Sequence, residues 1–121
     1  MNEQTYDLEE RLLRYSVSII KIVEQLPNTK AGNHVAGQLL RSGTSPYPNH
    51  GETQAEESPK DFIHKLRISL KELRETHKWL KLIRHVPLIN KPELLNDSLE
   101  ETEELIKVFV TSIKTARKKQ K

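Results

Sequence analysis

Cysteine is absent from the 121 residues. Disulfide scaffolds, cysteine zinc sites and cysteine nucleophiles are thereby excluded. Glycine (4) and proline (6) are few, which excludes a collagenous or low-complexity chain. Apolar runs are short, such as Tyr15 to Ile20 and Val108 to Ile113. A membrane-crossing helix needs about 20 apolar residues, so no span is expected. The start, Met1-Asn2-Glu3-Gln4, lacks the basic and apolar regions of a signal peptide, and the expected location is cytoplasmic.

What is present is charge. Charged residues make up 31% of the chain and hydrophobic residues 35%, enough for one core in a single domain spanning 1–121. The net charge of +3 hides segregation. Residues 1–57 carry a net −3, residues 58–91 a net +6, residues 92–104 a net −6 and residues 105–121 a net +6. Such blocks either guide packing between segments or create a polar surface field.

Hydrophobic spacing predicts four helices and no strand. In the first, about 5–26, Leu8, Leu12, Tyr15, Ile19, Ile22 and Leu26 recur at steps of four and three, with Leu13, Ile20 and Val23 widening the stripe. Pro27 ends it. The second, about 30–57, starts behind Thr29 as N-cap and presents Val35, Ala36, Leu39 and Leu40. Pro46 and Pro48 predict a kink or break within 43–49. The third, about 59–84, opens with Ser58 as N-cap, Pro59 at the first helical position and Asp61 at the third. Its core stripe is Ile63, Leu66, Leu70, Leu73, His77 and Leu80. The fourth, about 92–118, starts at Pro92 or is re-capped at Asn96 or Asp97. It carries Leu95, Leu99, Thr102, Ile106, Phe109, Ile113 and Ala116, with acids in its first turns and bases in its last. Short connections predict an antiparallel up-down four-helix bundle.

A second stripe runs along the third helix. Lys60, His64, Arg67, Lys71, Arg74, Lys78, Lys81 and His85 are spaced four, three, four, three, four, three and four. Each follows the core stripe by one residue, about 100° around the helix. Six of the eight are fixed cations and no acid interrupts the row. Like charges at this spacing cost a few tenths of a kcal/mol per pair. One reading is a phosphate-binding face, since such cations neutralise phosphates and release counterions. The other is a solvated or inter-helix face paired with the acids of the fourth helix. On the first reading Lys60, Arg67, Lys71, Arg74, Lys78 and Lys81 contact structured RNA or DNA, with Arg117, Lys118, Lys119 and Lys121 as a basic tail. On the second the chain is a scaffold for a protein partner.

Other constellations carry less. The run Glu100 to Glu104 lies on one helix, where successive carboxylates diverge, so a solvated helix start is expected rather than a cation site. Asp61-x-x-His64 is a single carboxylate-x-x-His, whereas a di-iron bundle needs two such elements and two further carboxylates. No metal, cofactor or catalytic residue is expected. Phe62, Ser69, Thr76 and Ile83 are seven apart, with Trp79 between. They form either a wider core or a subunit interface, where Trp and Phe are enriched. Ser42, Gly43, Thr44 and Ser45 form a hydroxyl-rich corner with local hydroxyl-to-backbone bonding, and Gly43 allows close helix approach or an unusual backbone angle.

Gln38-Leu39-Leu40-Arg41-Ser42-Gly43-Thr44-Ser45 continues through Asn49, Glu52, Ala55 to Ser58 and Asp61 to Leu66. Ser69 to Thr76, Trp79-Leu80 and Ser112 to Ala116 complete the pattern. Over nearly its whole length the chain resembles the four-helix-bundle family of the 23S rRNA intervening-sequence proteins. The resemblance implies a bacterial, cytosolic, all-helical protein that assembles into a ring-like homopentamer, with no established catalytic activity. It tilts Trp79 toward the subunit interface, together with Phe62 and Ile83, and assigns Asn49 and Glu52 to the corner motif. The chain is also similar to the accessory variability protein of diversity-generating retroelements, a basic pentameric barrel that works with nucleic acid and a reverse transcriptase. It departs from the family at Pro46, Pro48 and Thr53, where many members carry small, helix-compatible residues.

Overall fold

Capping residues decide where the helices begin. Thr29 accepts a hydrogen bond from Gly32 N at 3.0 Å, and Ser58 accepts one from Asp61 N at 3.2 Å with Pro59 in the first turn. Each bond satisfies an N–H that the helix itself leaves open. The computed structural model describes the backbone of residues 3–52 and 58–120, and the side chains of 8–50 and 58–120. Over these it holds α1 (Glu3–Val23), α2 (Lys30–Thr44), α3 (Pro46–Glu52), α4 (Pro59–His85), a 3-10 turn (Pro92–Leu95) and α5 (Asn96–Gln120). No strand occurs among the described residues.

The helices pack as an all-α bundle: α4 lies against α2, α3 and α5, and α1 against α2, α3 and α5. Its core includes Leu12, Tyr15, Ile19, Leu39, Leu73, Leu80, Leu95, Leu99, Leu105 and Phe109, all nearly or fully buried. Helix α2 ends at Thr44 and α3 begins at Pro46. Ser45 between them keeps helical angles (φ −65°, ψ −39°), and Asn49 N donates to Ser45 O at 3.2 Å. Glycine buys proximity here rather than an unusual angle, since no glycine has a positive φ. A Cβ on Gly43 would stand 2.7 Å from Ile19 Cγ2, so α2 and α1 touch at this point only because the side chain is missing.

The expected core stripes are rotated in three places. Leu13 and Ile20, expected to widen the core of α1, are 38% and 42% exposed, and Val17 beside them is 42% exposed. Together they form an outer apolar line at steps of four and three. On α4, Leu70 and His77 are only half-buried, and the buried line runs through Ser69, Thr76 and Ile83 instead. Small hydroxyl residues at 69 and 76 turn that side of α4 inward, and Thr76 Oγ1 lies 2.8 Å from Ser42 Oγ on α2. On α5, Leu105 is fully buried and Ile106 half-buried. The seven-residue spacing of Ser69, Thr76 and Ile83 therefore marks intramolecular core. Ile83, expected at a subunit contact, is fully buried inside the bundle and has no surface to offer a partner.

Candidate nucleic-acid interface

Helix α4 is the longest element, at 27 residues, and it presents the basic row outward. Lys60, His64, Arg67, Lys71, Arg74, Lys78, Lys81 and His85 are all exposed. At 1.5 Å per residue the row is about 37 Å long. None of its six fixed cations makes an ion pair with a described side chain. Several acids of α4 and α5 are engaged elsewhere. Glu72 and Glu75 face α2, where Arg41 binds both, Glu72 at 2.9 Å. On α5, Glu101 takes a two-pronged bond from Arg11 at 2.7 and 3.1 Å, and Glu104 sits 3.7 Å from Lys107. Glu103 lies 3.7 Å from His77 Nε2. The expected pairing of the basic row with the acids of α5 thus reaches only His77, which is not a member of the row.

Toward the end of α4, Lys78, Lys81, Leu82 and His85 line a shallow, open recess of about 350 Å³. His85 Nδ1 donates to Lys81 O at 2.8 Å. Arg117 and Lys118 are exposed near the end of α5. Lys121 lies outside the described residues. Among the described residues no three His, Asp or Glu side chains gather into a group able to hold a metal ion. No described helix is long and apolar enough to cross a membrane.

Residues 3–111 match the sequence profile of the 23S rRNA-intervening sequence proteins. The chain belongs to this family. A solved structure from Bacteroides thetaiotaomicron, a protein of unknown function in the S23 ribosomal protein family, is 32% identical with a TM-score of 0.81. The match covers 91% of this chain and 97% of that one. No curated protein matches the chain.

In this 23S rRNA-intervening sequence protein the corner motif is structural in its contacts. Ser42 is fully buried. Thr44 Oγ1 donates to Leu40 O at 2.6 Å and Ser45 Oγ to Arg41 O at 2.5 Å. Asn49 is half-buried and contributes its backbone N–H, while the side chain of Glu52 lies outside the described residues. Phe62 and Trp79 are half-buried against the core. Trp79 Nε1 donates to Glu75 at 2.9 Å, and its ring meets His34 edge-on with centroids 6.0 Å apart.

Sequence reasoning missed a buried hydroxyl layer. Tyr15 on α1 and Thr102 on α5 bond at 2.7 Å, Thr102 Oγ1 donates to Ser98 O at 2.6 Å, and Thr76 on α4 meets Ser42 on α2. Burial pushes the Tyr15 phenol far above its ordinary pKa, against the opposing effect of its bond to Thr102. The readable signal was a hydroxyl at a core position in each long helix. Arg41 as a clamp on α4 was likewise unforeseen.

Proposed function

We propose that this chain is a non-enzymatic, self-associating helical-bundle protein of the cytoplasm that binds nucleic acid through the exposed face of α4. The observation that carries the reading is a row of six fixed cations, all exposed and none paired with a described side chain. Leaving such a row unneutralised costs self-repulsion, which a polyphosphate removes while releasing its own counterions.

Contacts between helices extend this surface. Arg84 reaches Asn96 Oδ1 at 3.2 Å and His77 lies by Glu103, so later residues of α4 meet earlier residues of α5. On α2 and α4, His34 meets Trp79 while Arg41 and Ser42 meet Glu72, Glu75 and Thr76. Both sets support an antiparallel up-down arrangement, with α2 and α3 as one helix kinked at Ser45. Carried along at the same register, the pairing brings exposed Lys107, Lys114 and Arg117 beside Arg74, Arg67 and His64. One half of the face is then basic on two helices.

Self-association, as a ring pentamer, is part of the proposal. Its support is the resemblance together with the exposed line Leu13, Val17 and Ile20. That line also favours a second reading, a scaffold that meets a protein partner through α1. Trp79 and Phe62 are the further candidates for the subunit contact.

Binding of labelled nucleic acid, read by anisotropy across a salt series with mass read by light scattering, tests the proposal. Arg67→Glu with Lys71→Glu and Arg74→Glu is expected to abolish binding while the oligomer keeps its mass. Dissociation of the oligomer instead favours the scaffold. Absence of binding at low salt with an intact oligomer removes the nucleic-acid role.

A further inference from the structure

We infer, resting on the phosphate-binding reading above, that the ligand of the α4 face is a double-stranded nucleic acid held through its backbones, rather than a single strand. Single-strand binders combine a basic groove with aromatic rings on which bases stack, each worth about 1–3 kcal/mol. Among the described residues this face has no such platform. Tyr15 and Phe109 are buried in the core, and Tyr47, Phe62 and Trp79 pack half-buried against it. The imidazoles of His64 and His85 are the only described rings on the row, and His85 is tied back to Lys81 O.

Without stacking, affinity follows charge density. A duplex carries one phosphate per ~1.7 Å of axis, against ~3.4 Å along one strand. The shape agrees. The row is a straight rod of about 37 Å, and one duplex turn is about 34–36 Å. A rigid rod of that length meets the backbone ridges bounding a groove without requiring the ligand to bend. A flexible strand gains nothing from the straightness and loses conformational freedom in following it. Phosphate contacts of this kind position the ligand without reading its sequence.

The size of the preference follows from counterion release. Six neutralised phosphates give a salt slope of about −5.4 on a duplex and about −4.2 on a single strand. Counted from equal affinity at about 1 M salt, where the electrostatic contribution vanishes, that difference of about 1.2 amounts to roughly fifteenfold in affinity at about 0.1 M.

The test uses the full chain and four labelled probes: duplex RNA and duplex DNA of about 24 base pairs, more than two turns, with oligo(U) and oligo(dT) of the same length. At 0.1 M salt a duplex is expected to bind roughly fifteenfold tighter than either single strand, and the tighter duplex identifies RNA or DNA as the source. His64→Ala is expected to change duplex affinity less than about twofold, because no base stacks there. Single strands binding as tightly as duplexes, and losing that binding on charge reversal at Arg67, Lys71 and Arg74, overturns this inference and leaves the phosphate face standing. No binding by any probe, or binding indifferent to the charge reversal, overturns both.

Discussion

Replacing Thr102 by valine keeps the shape of the side chain and removes one oxygen from the centre of the bundle. The bonds around that oxygen fix the outcome. Ser98 O can only accept, so the Thr102 hydroxyl donates to it at 2.6 Å and receives the Tyr15 phenol at 2.7 Å. Tyr15 is 2% exposed, so no water can take the place of Thr102. Thr102→Val therefore takes the nearest acceptor from a buried phenol and leaves it only the weaker contact with the Thr76 hydroxyl, which costs about 1–3 kcal/mol. Tyr15→Phe removes the donor, but Thr102 still has Ser98 O, and the cost falls to about 0.5–1.5 kcal/mol. In Tyr15→Phe/Thr102→Val no polar group is stranded. The double variant is expected to be more stable than Thr102→Val alone, with a coupling of about 1 kcal/mol. Urea unfolding followed by circular dichroism reads this directly. A loss of 2 kcal/mol moves the midpoint by about 1 M if the slope is near 2 kcal/mol/M. All four proteins are compared at one concentration, since association shifts apparent stability. Additive single costs, or a Tyr15→Phe loss larger than that of Thr102→Val, would refute the directional account of the layer.

The same substitution has opposite signs at two glycines of α2. Gly43→Ala drives a Cβ to 2.7 Å from Ile19 Cγ2 and is expected to destabilise by about 1–3 kcal/mol, whereas Gly37→Ala meets nothing within 4 Å and is expected to stabilise by up to about 1 kcal/mol, both read by urea midpoints. Burial pushes the pKa of His50 down, with Glu9 partly opposing it. The unfolded chain then binds a proton near pH 6.5 that the folded chain refuses, so stability falls as pH drops below about 6.5, and His50→Gln is expected to flatten that slope in pH-dependent unfolding. Each of Arg67→Gln, Lys71→Gln and Arg74→Gln is expected to lessen the log–log salt slope of duplex binding by about 0.9, measured by anisotropy.

Two of the helices were legible at their starts because each begins with a local chemical cue. Thr29 and Ser58 are caps in the sequence and caps in the structure. Pattern alone was less able to say which edge of a stripe faces in. Leu13 and Ile20 look more buried than Ser69 and Thr76 by hydropathy, yet the order is reversed. Helix approach decides it: where backbones come close, as at Gly43 and Thr76, small residues go inside and larger ones are left at the rim. The basic row was legible in full, because its spacing needs only the helix period. Its lack of partners among the described side chains was not, because that depends on Arg41 and Arg11, distant in sequence, occupying Glu72, Glu75 and Glu101 first.

The basic row, unpaired among the described side chains, also makes the bundle responsive to its ionic surroundings. Six cations held at three- and four-residue intervals on one rigid helix push on one another in dilute buffer, and added electrolyte quiets them within a Debye length of about 10 Å at 0.1 M. Simple salt should therefore raise the melting temperature of the free protein while weakening its grip on any polyanion. A polyanion should raise it further at the same ionic strength. Folding and ligand capture thus draw on one electrostatic source, and an unfolding curve alone can register that the face is occupied.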